Sequence, residues 1–258
     1  MARLRPPVMV SSAMMRLGEY GYDAPYALIF FAALALLSGT AATVAWWDRH
    51  PVALSFAIYF VFFLANAASF FYTTRRGKFV EWERILDRTE LHAGETVLDM
   101  GCGRGAVLTA VARRLTAGGV IGVDIWSATD QSGNAQEVTL RNASREGVSE
   151  RVRIVTADMR SLPFPDAAFD LVVSSLAIHN IRSAAGRKQA IVEAFRVLKP
   201  GGRMVIADIR ATAAYAKTLR ALGSCDVKRR RLGWRFWWGN PVAGTTLLTA
   251  SKSPANIP

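Results

Sequence analysis

Residues 97–105 read Val97-Leu98-Asp99-Met100-Gly101-Cys102-Gly103-Arg104-Gly105, and this stretch decides the fold. A strand-like apolar run, Thr96–Met100, passes straight into three alternating glycines, and a helical pattern, Val107–Leu115, follows. Glycines here let the backbone turn tightly and let a ligand approach the main chain closely. The opening amides of the next helix face the same place. The pattern is G-x-G-x-G, not the G-x-G-x-x-G of dinucleotide enzymes, and an acid, Asp99, stands before it. Asp124 closes the next apolar run, nineteen residues past Gly105, where a carboxylate can accept both hydroxyls of a ribose.

Outward from this turn, short apolar runs alternate with helical patterns. The runs are Thr96–Met100, Val120–Ile125, Val152–Thr156, Phe169–Ser174 and Met204–Ile209; the helices include Val107–Leu115, Ala135–Glu146 and Arg187–Leu198. That alternation implies an α/β fold, a mainly parallel sheet covered on both faces. Before the first strand, Phe79–Leu91 is amphipathic, with Trp82, Ile85, Leu86 and Thr89 on one helical face.

The region upstream is of another kind. Ala24–Trp47 and Pro51–Thr74 are each 24 residues without a charge, separated only by Asp48, Arg49 and His50. At ~1.5 Å per residue each reaches roughly 36 Å, beyond the ~30 Å hydrocarbon core of a bilayer. Neither run has a polar face, as a soluble helix would. Tyr26, Trp46, Trp47 and Tyr72 stand where an aromatic belt would lie. The two runs read as a transmembrane hairpin. A cleaved signal is disfavoured by Glu19 and Asp23 ahead of the first run and by the second run behind it. Arg3, Arg5 and Arg16 precede the hairpin and Arg75, Arg76, Lys78, Arg84 and Arg88 follow it, so the positive-inside rule expects a multi-pass protein of the cell membrane with both termini and the α/β domain cytoplasmic. The expected division is 1–23 as N-terminal segment, 24–74 as hairpin (24–47 and 51–74), 75–91 as linker helix and 92–258 as the α/β domain.

Composition removes other classes. Of 258 residues 51% are hydrophobic, which excludes a disordered chain. Two cysteines build neither a disulfide scaffold nor a four-ligand zinc site, and no metal is expected. Residues 75–258 carry 28 Lys and Arg against 17 Asp and Glu, an excess that suits anionic surfaces.

The ordered features Val97–Gly105, Asp124, Ala157-Asp158-Met159, Ser174-Ser175 and Arg196-Val197-Leu198-Lys199-Pro200-Gly201-Gly202 resemble the class I S-adenosylmethionine-dependent methyltransferases. The resemblance is close over Val97–Ile209 and loose elsewhere in 79–252. "LPFPDAAFDLVVSS" and "RVLKPGGRMVIAD" look like the small-molecule branch that includes the quinone-biosynthesis methyltransferases. It implies a Rossmann-like methyltransferase sheet, closed by antiparallel strands at about Asp226–Leu232 and Thr245–Ser251, and S-adenosylmethionine as cofactor. It also implies roles for residues of the cofactor site. Asp99 would hold the methionine amino group, with Gly101, Cys102, Gly103 and Gly105 forming the turn on the carboxylate side. Asp124 would take the ribose hydroxyls and Ile125 would pack on adenine. Asp158 would accept from the adenine amine beside Met159, and Ser174 and Ser175 would pass near the transferring methyl.

His179 is the histidine expected near that site, and an imidazole exchanges protons near neutrality; capping or packing at a helix start is its other reading. Lys228–Gly239, basic and aromatic, reads as a protected edge strand or as a contact with anionic lipid headgroups. Nucleic acid is not the expected partner, since the hairpin confines the domain to a membrane. Tethering favours a small, lipophilic methyl acceptor, with membrane lipids as neighbours and homo-oligomerisation through the hairpin as an option. Two alternatives stay open: a non-catalytic binder of S-adenosylmethionine or S-adenosylhomocysteine, and a methyltransferase of a soluble metabolite that uses the hairpin only as anchor. The cofactor reading has a direct check. Asp124→Ala should remove two charge-assisted hydrogen bonds of about 1.5–3 kcal/mol each, and calorimetry on detergent-solubilised protein should show a correspondingly weaker cofactor. Unchanged affinity would remove Asp124 from the site.

Overall fold

A computed structural model describes residues 16–127 and 129–254. Arg3 and Arg5, which entered the orientation argument, lie outside them. Helices α1 (Pro25–Trp47) and α2 (Ala53–Tyr72) form the antiparallel hairpin. Both are long and apolar enough to cross a membrane, and only 11% and 17% of their most apolar stretches are buried by the rest of the chain. Ile29, Phe30, Leu36, Leu37, Leu54 and Ile58 stand exposed.

The second helix does not stop at Tyr72. Thr73–Gly77 winds as a wider π turn into α3 (Lys78–Asp87), so one helical run of 35 residues extends from Ala53 to Asp87. Trp82, Ile85 and Leu86 are buried, as their shared face requires. The helix ends four residues before the expected Leu91. Arg88 and Thr89 donate their N–H groups back to Ile85 and Leu86 in a tightened last turn, and Glu90 takes a positive φ of 49° that a helix cannot continue.

The sheet comprises β1 (Thr96–Met100), β2 (Gly119–Asp124), β3 (Val152–Thr156), β4 (Phe169–Ser175), β5 (Leu198–Asp208), β6 (Ser224–Arg231) and β7 (Thr246–Lys252), in the order β3-β2-β1-β4-β5-β7-β6. The first five run parallel, while β7 is antiparallel to both β5 and β6. Between them lie α4 (Ala106–Ala112), α5 (Gln136–Arg145), α6 (Ala184–Val197) and α7 (Thr212–Ala221). Successive side chains of each strand enter opposite layers. Val97, Leu171, Val173 and Val205 join Trp82, Leu86, Leu108 and Val111 on one face. Leu98, Val172, Met204 and Ile206 meet Ile191, Ala194, Tyr215 and Leu219 on the other. This is a Rossmann-like sheet preceded by two apolar helices. β5 starts at Leu198, not at the expected Met204. Leu198 pairs with Phe169 and Arg203 with Leu171, so Lys199–Gly202 bulges out of a strand that continues past it.

Two contacts seat the sheet on the hairpin. The loop between β6 and β7 grips the end of α2: Thr73 Oγ1 donates to the Trp237 carbonyl at 2.5 Å, Tyr72 stacks on Trp234, and the rings of Phe70 and Trp238 meet edge to face at 5.1 Å. On the other side, residues 16–24 cross α4 and α5. Tyr20 is buried there, its hydroxyl bonded to Thr109 and Glu146 at 2.9 and 2.8 Å. Gly77 tests the first contact. A Cβ there would lie 1.9 Å from the Arg235 carbonyl oxygen, so Gly77→Ala must push the loop off the helix. The expected cost is about 1–3 kcal/mol, read as a lower unfolding midpoint of the solubilised protein. An unchanged midpoint would mean that this joint is loose.

Candidate active site

Strands β1, β2, β4 and β5 end at one rim of the sheet, and the winding reverses between β1 and β4. Such a switch point leaves a crevice outside the strand ends. A cavity of about 780 Å³ fills it.

The glycine turn forms its floor. Gly101 and Gly103 have φ of 73° and 50°. A Cβ on Gly101 would fall 2.2 Å from the Ala177 Cβ, and one on Gly103 would fall 2.6 Å from Gln131 Oε1. Gly101 has no room for a side chain, and the positive φ at both positions favours glycine. Gly105 caps α4 and does not face the cavity. Asp99 lies beneath the turn, 1% exposed, and neither carboxylate oxygen has a hydrogen-bond partner. Burial, and then the neighbouring Asp124, push its pKa up to about 8. A buried acid with no partner suits a cationic donor.

Asp124 is already organised by the fold. It accepts from the N–H groups of Gly103 at 2.8 Å and Trp126 at 2.7 Å, so it holds the glycine turn as well as facing the cavity. Ile125 is 63% exposed at the cavity wall, an apolar side chain open to a flat partner. Asp158 lines the same wall beside Met159, and the Arg160 guanidinium holds its carboxyl below the usual range. Cys102 is buried, which pushes its thiol up, away from the reactive thiolate. Ser175 faces the cavity and accepts from Trp82 Nε1 at 2.8 Å. Ser174 is turned inward: its hydroxyl donates to the Met100 carbonyl at 2.7 Å, and it does not line the cavity.

His179 lies on the cavity wall in the short turn Ile178–Asn180. Its Nδ1 is 2.5 Å from Asp208 Oδ1. Asp208 is fully buried at the end of β5 and also accepts from the N–H groups of His179 and Ile209 and from the Tyr215 hydroxyl. Burial and the adjacent carboxylate push Tyr215 up, so it stays a donor. Leu176, three residues earlier, is held at a φ of 56°, strain of the kind that gathers at working sites.

Several residues of the site escaped sequence reasoning. Asp208 had one available signal, since the ends of neighbouring parallel strands share a rim and β5 ends in an acid. Asn134, which also lines the cavity, donates weakly to Asp124 at 3.3 Å and keeps a buried oxygen without a partner. Asp23 accepts from Thr74, Lys78 and Gln131, and Gln131 in turn accepts from the Arg104 N–H at 3.0 Å. This chain ties the residue before α1 to the glycine turn, and no local pattern announces it.

Comparison with known proteins agrees with this geometry. Residues 98–206 match the family model described as "Methyltransferase domain". Methyltransferase GfsG of Streptomyces halstedii is 35% identical over 151 residues, 58% of this chain and 51% of that protein. The ubiquinone/menaquinone biosynthesis C-methyltransferase UbiE of Citrobacter koseri is 37% identical over 128 residues, 48% of this chain and 47% of that one. The chain thus spans about half the length of these curated relatives. Among solved structures, geranyl diphosphate methyltransferase in complex with SAM superposes with a TM-score of 0.55 at 17% identity, covering 67% of this chain and 85% of that one. The stretch 98–206 is thus similar to methyltransferase domains, and a SAM-bound methyltransferase shares its fold. The residues present fit that cofactor: an unpartnered acid for its ammonium, a turn with no room for a side chain at Gly101, and an acid and an amide oxygen for its ribose.

The raised pKa of Asp99 has a pH signature. An ammonium ligand needs the carboxylate ionised, so below about pH 8 binding must first expel its proton. The affinity for S-adenosylhomocysteine should rise between pH 6 and 8 by up to about tenfold per unit, then level off. Calorimetry on Asp99→Asn should give a flat profile with weaker binding throughout.

Proposed function

We propose that this chain is a membrane-anchored methyltransferase that moves the methyl group of S-adenosylmethionine to a small, lipophilic acceptor. The observation that carries the reading is that the cofactor cradle and the His179–Asp208 pair open into one cavity. Asp99, Gly101, Cys102 and Gly103 would hold the amino acid end of the cofactor. Asp124 and Asn134 would hold its ribose; Ile125, Asp158 and Met159 would hold its adenine. The bound cofactor supplies an electrophilic methyl on a sulfonium, a good leaving group, so the protein's task is chiefly positioning.

A protonated nucleophile also needs a base. With Nδ1 committed to a buried carboxylate, Nε2 of His179 is the nitrogen left to take a proton, and Asp208 stabilises the imidazolium that forms. Asp208, fixed by two backbone donors and Tyr215, positions the ring without touching the acceptor. A non-catalytic binder would have no use for an oriented imidazole there.

The membrane part of the reading rests on α1 and α2, whose apolar sides the chain leaves uncovered. The charges after α2, Arg75, Arg76, Lys78, Arg84 and Arg88, put the catalytic domain on the cytoplasmic side. The expected division at 24, 75 and 92 stands in this proposal, with residues 16–23 serving as a strap on the domain. Tethering raises the effective concentration of the site toward bilayer-borne substrates, in keeping with the quinone chemistry in the name of UbiE.

Expected behaviour follows with lipid extract as acceptor source and S-adenosylhomocysteine release as readout. His179→Ala should lower kcat by about 10²–10⁴ while cofactor affinity stays within about twofold. Asp208→Asn should lower kcat without raising KM. A near-normal rate for His179→Ala at saturating acceptor would remove it as base.

A further inference from the structure

The lining of the cavity extends past the residues assigned to the cofactor. Beyond His179 and Ser175 it continues to Tyr26 and Ala27 in the first turn of α1, Phe70 near the end of α2, and Trp238. These residues belong to the base of the hairpin, where the uncovered apolar helices meet the catalytic domain. Three cations line the cavity: Lys78 is paired with Asp23 and Arg160 with Asp158, while Arg182 stands exposed with no salt bridge among the described residues. The cavity thus joins the polar groups at the imidazole to apolar side chains at the base of the helices, Ala27, Phe70 and Trp238.

We propose that this extension is the acceptor site and opens sideways into the bilayer between the first turn of α1 and the end of α2. Its occupant is an amphiphile: a hydroxyl-bearing or acidic-carbon head at His179, and an apolar tail that passes Ala27 and Phe70 into the lipid. A tail-free acceptor would leave the apolar part of the cavity unfilled. Such an acceptor reaches the reacting end without leaving the membrane, so its tail is never transferred into water. The proposal rests on the methyltransferase reading and adds to it the path and the polarity of the substrate.

The test uses the full chain in phosphatidylcholine nanodiscs saturated with S-adenosylhomocysteine. The probe is 4-dodecylphenol carrying a diazirine in its chain, with photoadducts mapped by mass spectrometry. Adducts are expected on Tyr26, Ala27, Phe70 and Trp238, and excess unlabelled 4-dodecylphenol should suppress them. Ala27→Trp, which narrows the cavity, should cut them by about tenfold while affinity for S-adenosylhomocysteine stays within about twofold. If that variant loses the cofactor product, Ala27→Leu takes its place. Adducts confined to the outward residues Ile29, Phe30, Leu37 and Ile58, or unaffected by either variant, would overturn the portal and leave the methyltransferase reading intact. Failure of the unmodified chain to bind S-adenosylhomocysteine would overturn both.

Discussion

One unbroken helix sets the terms for the whole molecule. From Ala53 to Asp87 the chain passes from an apolar surface to the catalytic core without a flexible link. A helix fixes direction and rotation together, so the hairpin and the sheet cannot swing independently unless the π turn at Thr73–Gly77 gives way. That turn is the least regular part of the run, and it is also where the structure spends its contacts. The β6–β7 loop packs on one side through Thr73, Tyr72 and Gly77, and Asp23 binds Thr74 and Lys78 on the other. An extra residue in a helical turn leaves a backbone carbonyl poorly served, and π turns persist where tertiary contacts over-determine them.

The same joint governs the electrostatics of the site. Asp23 neutralises Lys78 beside the cavity, and Gln131 passes the contact on to the backbone of Arg104 in the glycine turn. Asp99 is left as the acid with nothing to bind, 1% exposed and close to Asp124. Two carboxylates in such a setting repel, and ionising both costs free energy until a cation arrives. The fold therefore holds a site that is electrostatically incomplete by itself, and that incompleteness selects for a ligand with a positive end.

Much of this was legible in the residues. The continuous apolar runs gave the parallel strands, and the three alternating glycines marked the turn. The resemblance then pointed to Asp99, Asp124 and Asp158. The signals were local: a strand, a turn and an acid lie within a few residues of each other. What was missed is non-local. Tyr20 meets Glu146 and Asp23 meets Gln131 across more than a hundred residues, and no periodicity encodes such pairs. Glu19 and Asp23 counted only as charges that argue against a signal peptide. Ser174 and Ser175 could not be ranked from sequence, because alternation along a strand says they face opposite ways without saying which way is the cavity. β5 was read too short for a related reason: Pro200 and Gly201 look like the end of a turn, yet the strand resumes its pairing on either side of them.

His179 shows how a three-dimensional partner changes the meaning of a side chain. Taken alone, a histidine at the start of a short turn serves as well for capping as for chemistry. Asp208 comes from a strand 29 residues later, and parallel pairing of β4 with β5 brings the two strand ends side by side. Capping would engage the ring with nearby backbone groups. Here the backbone N–H of His179 is satisfied by Asp208 Oδ2, and the ring is bound separately by Oδ1 of the same carboxylate. One buried acid thus fixes both the main chain and the imidazole, so the ring has no freedom to turn away from the cavity. Ordering a rotamer in this way costs conformational entropy. A purely structural residue could have been packed without it, by an apolar side chain in the same place. The arrangement makes physical sense where the direction of the second nitrogen matters, at the wall of the cavity.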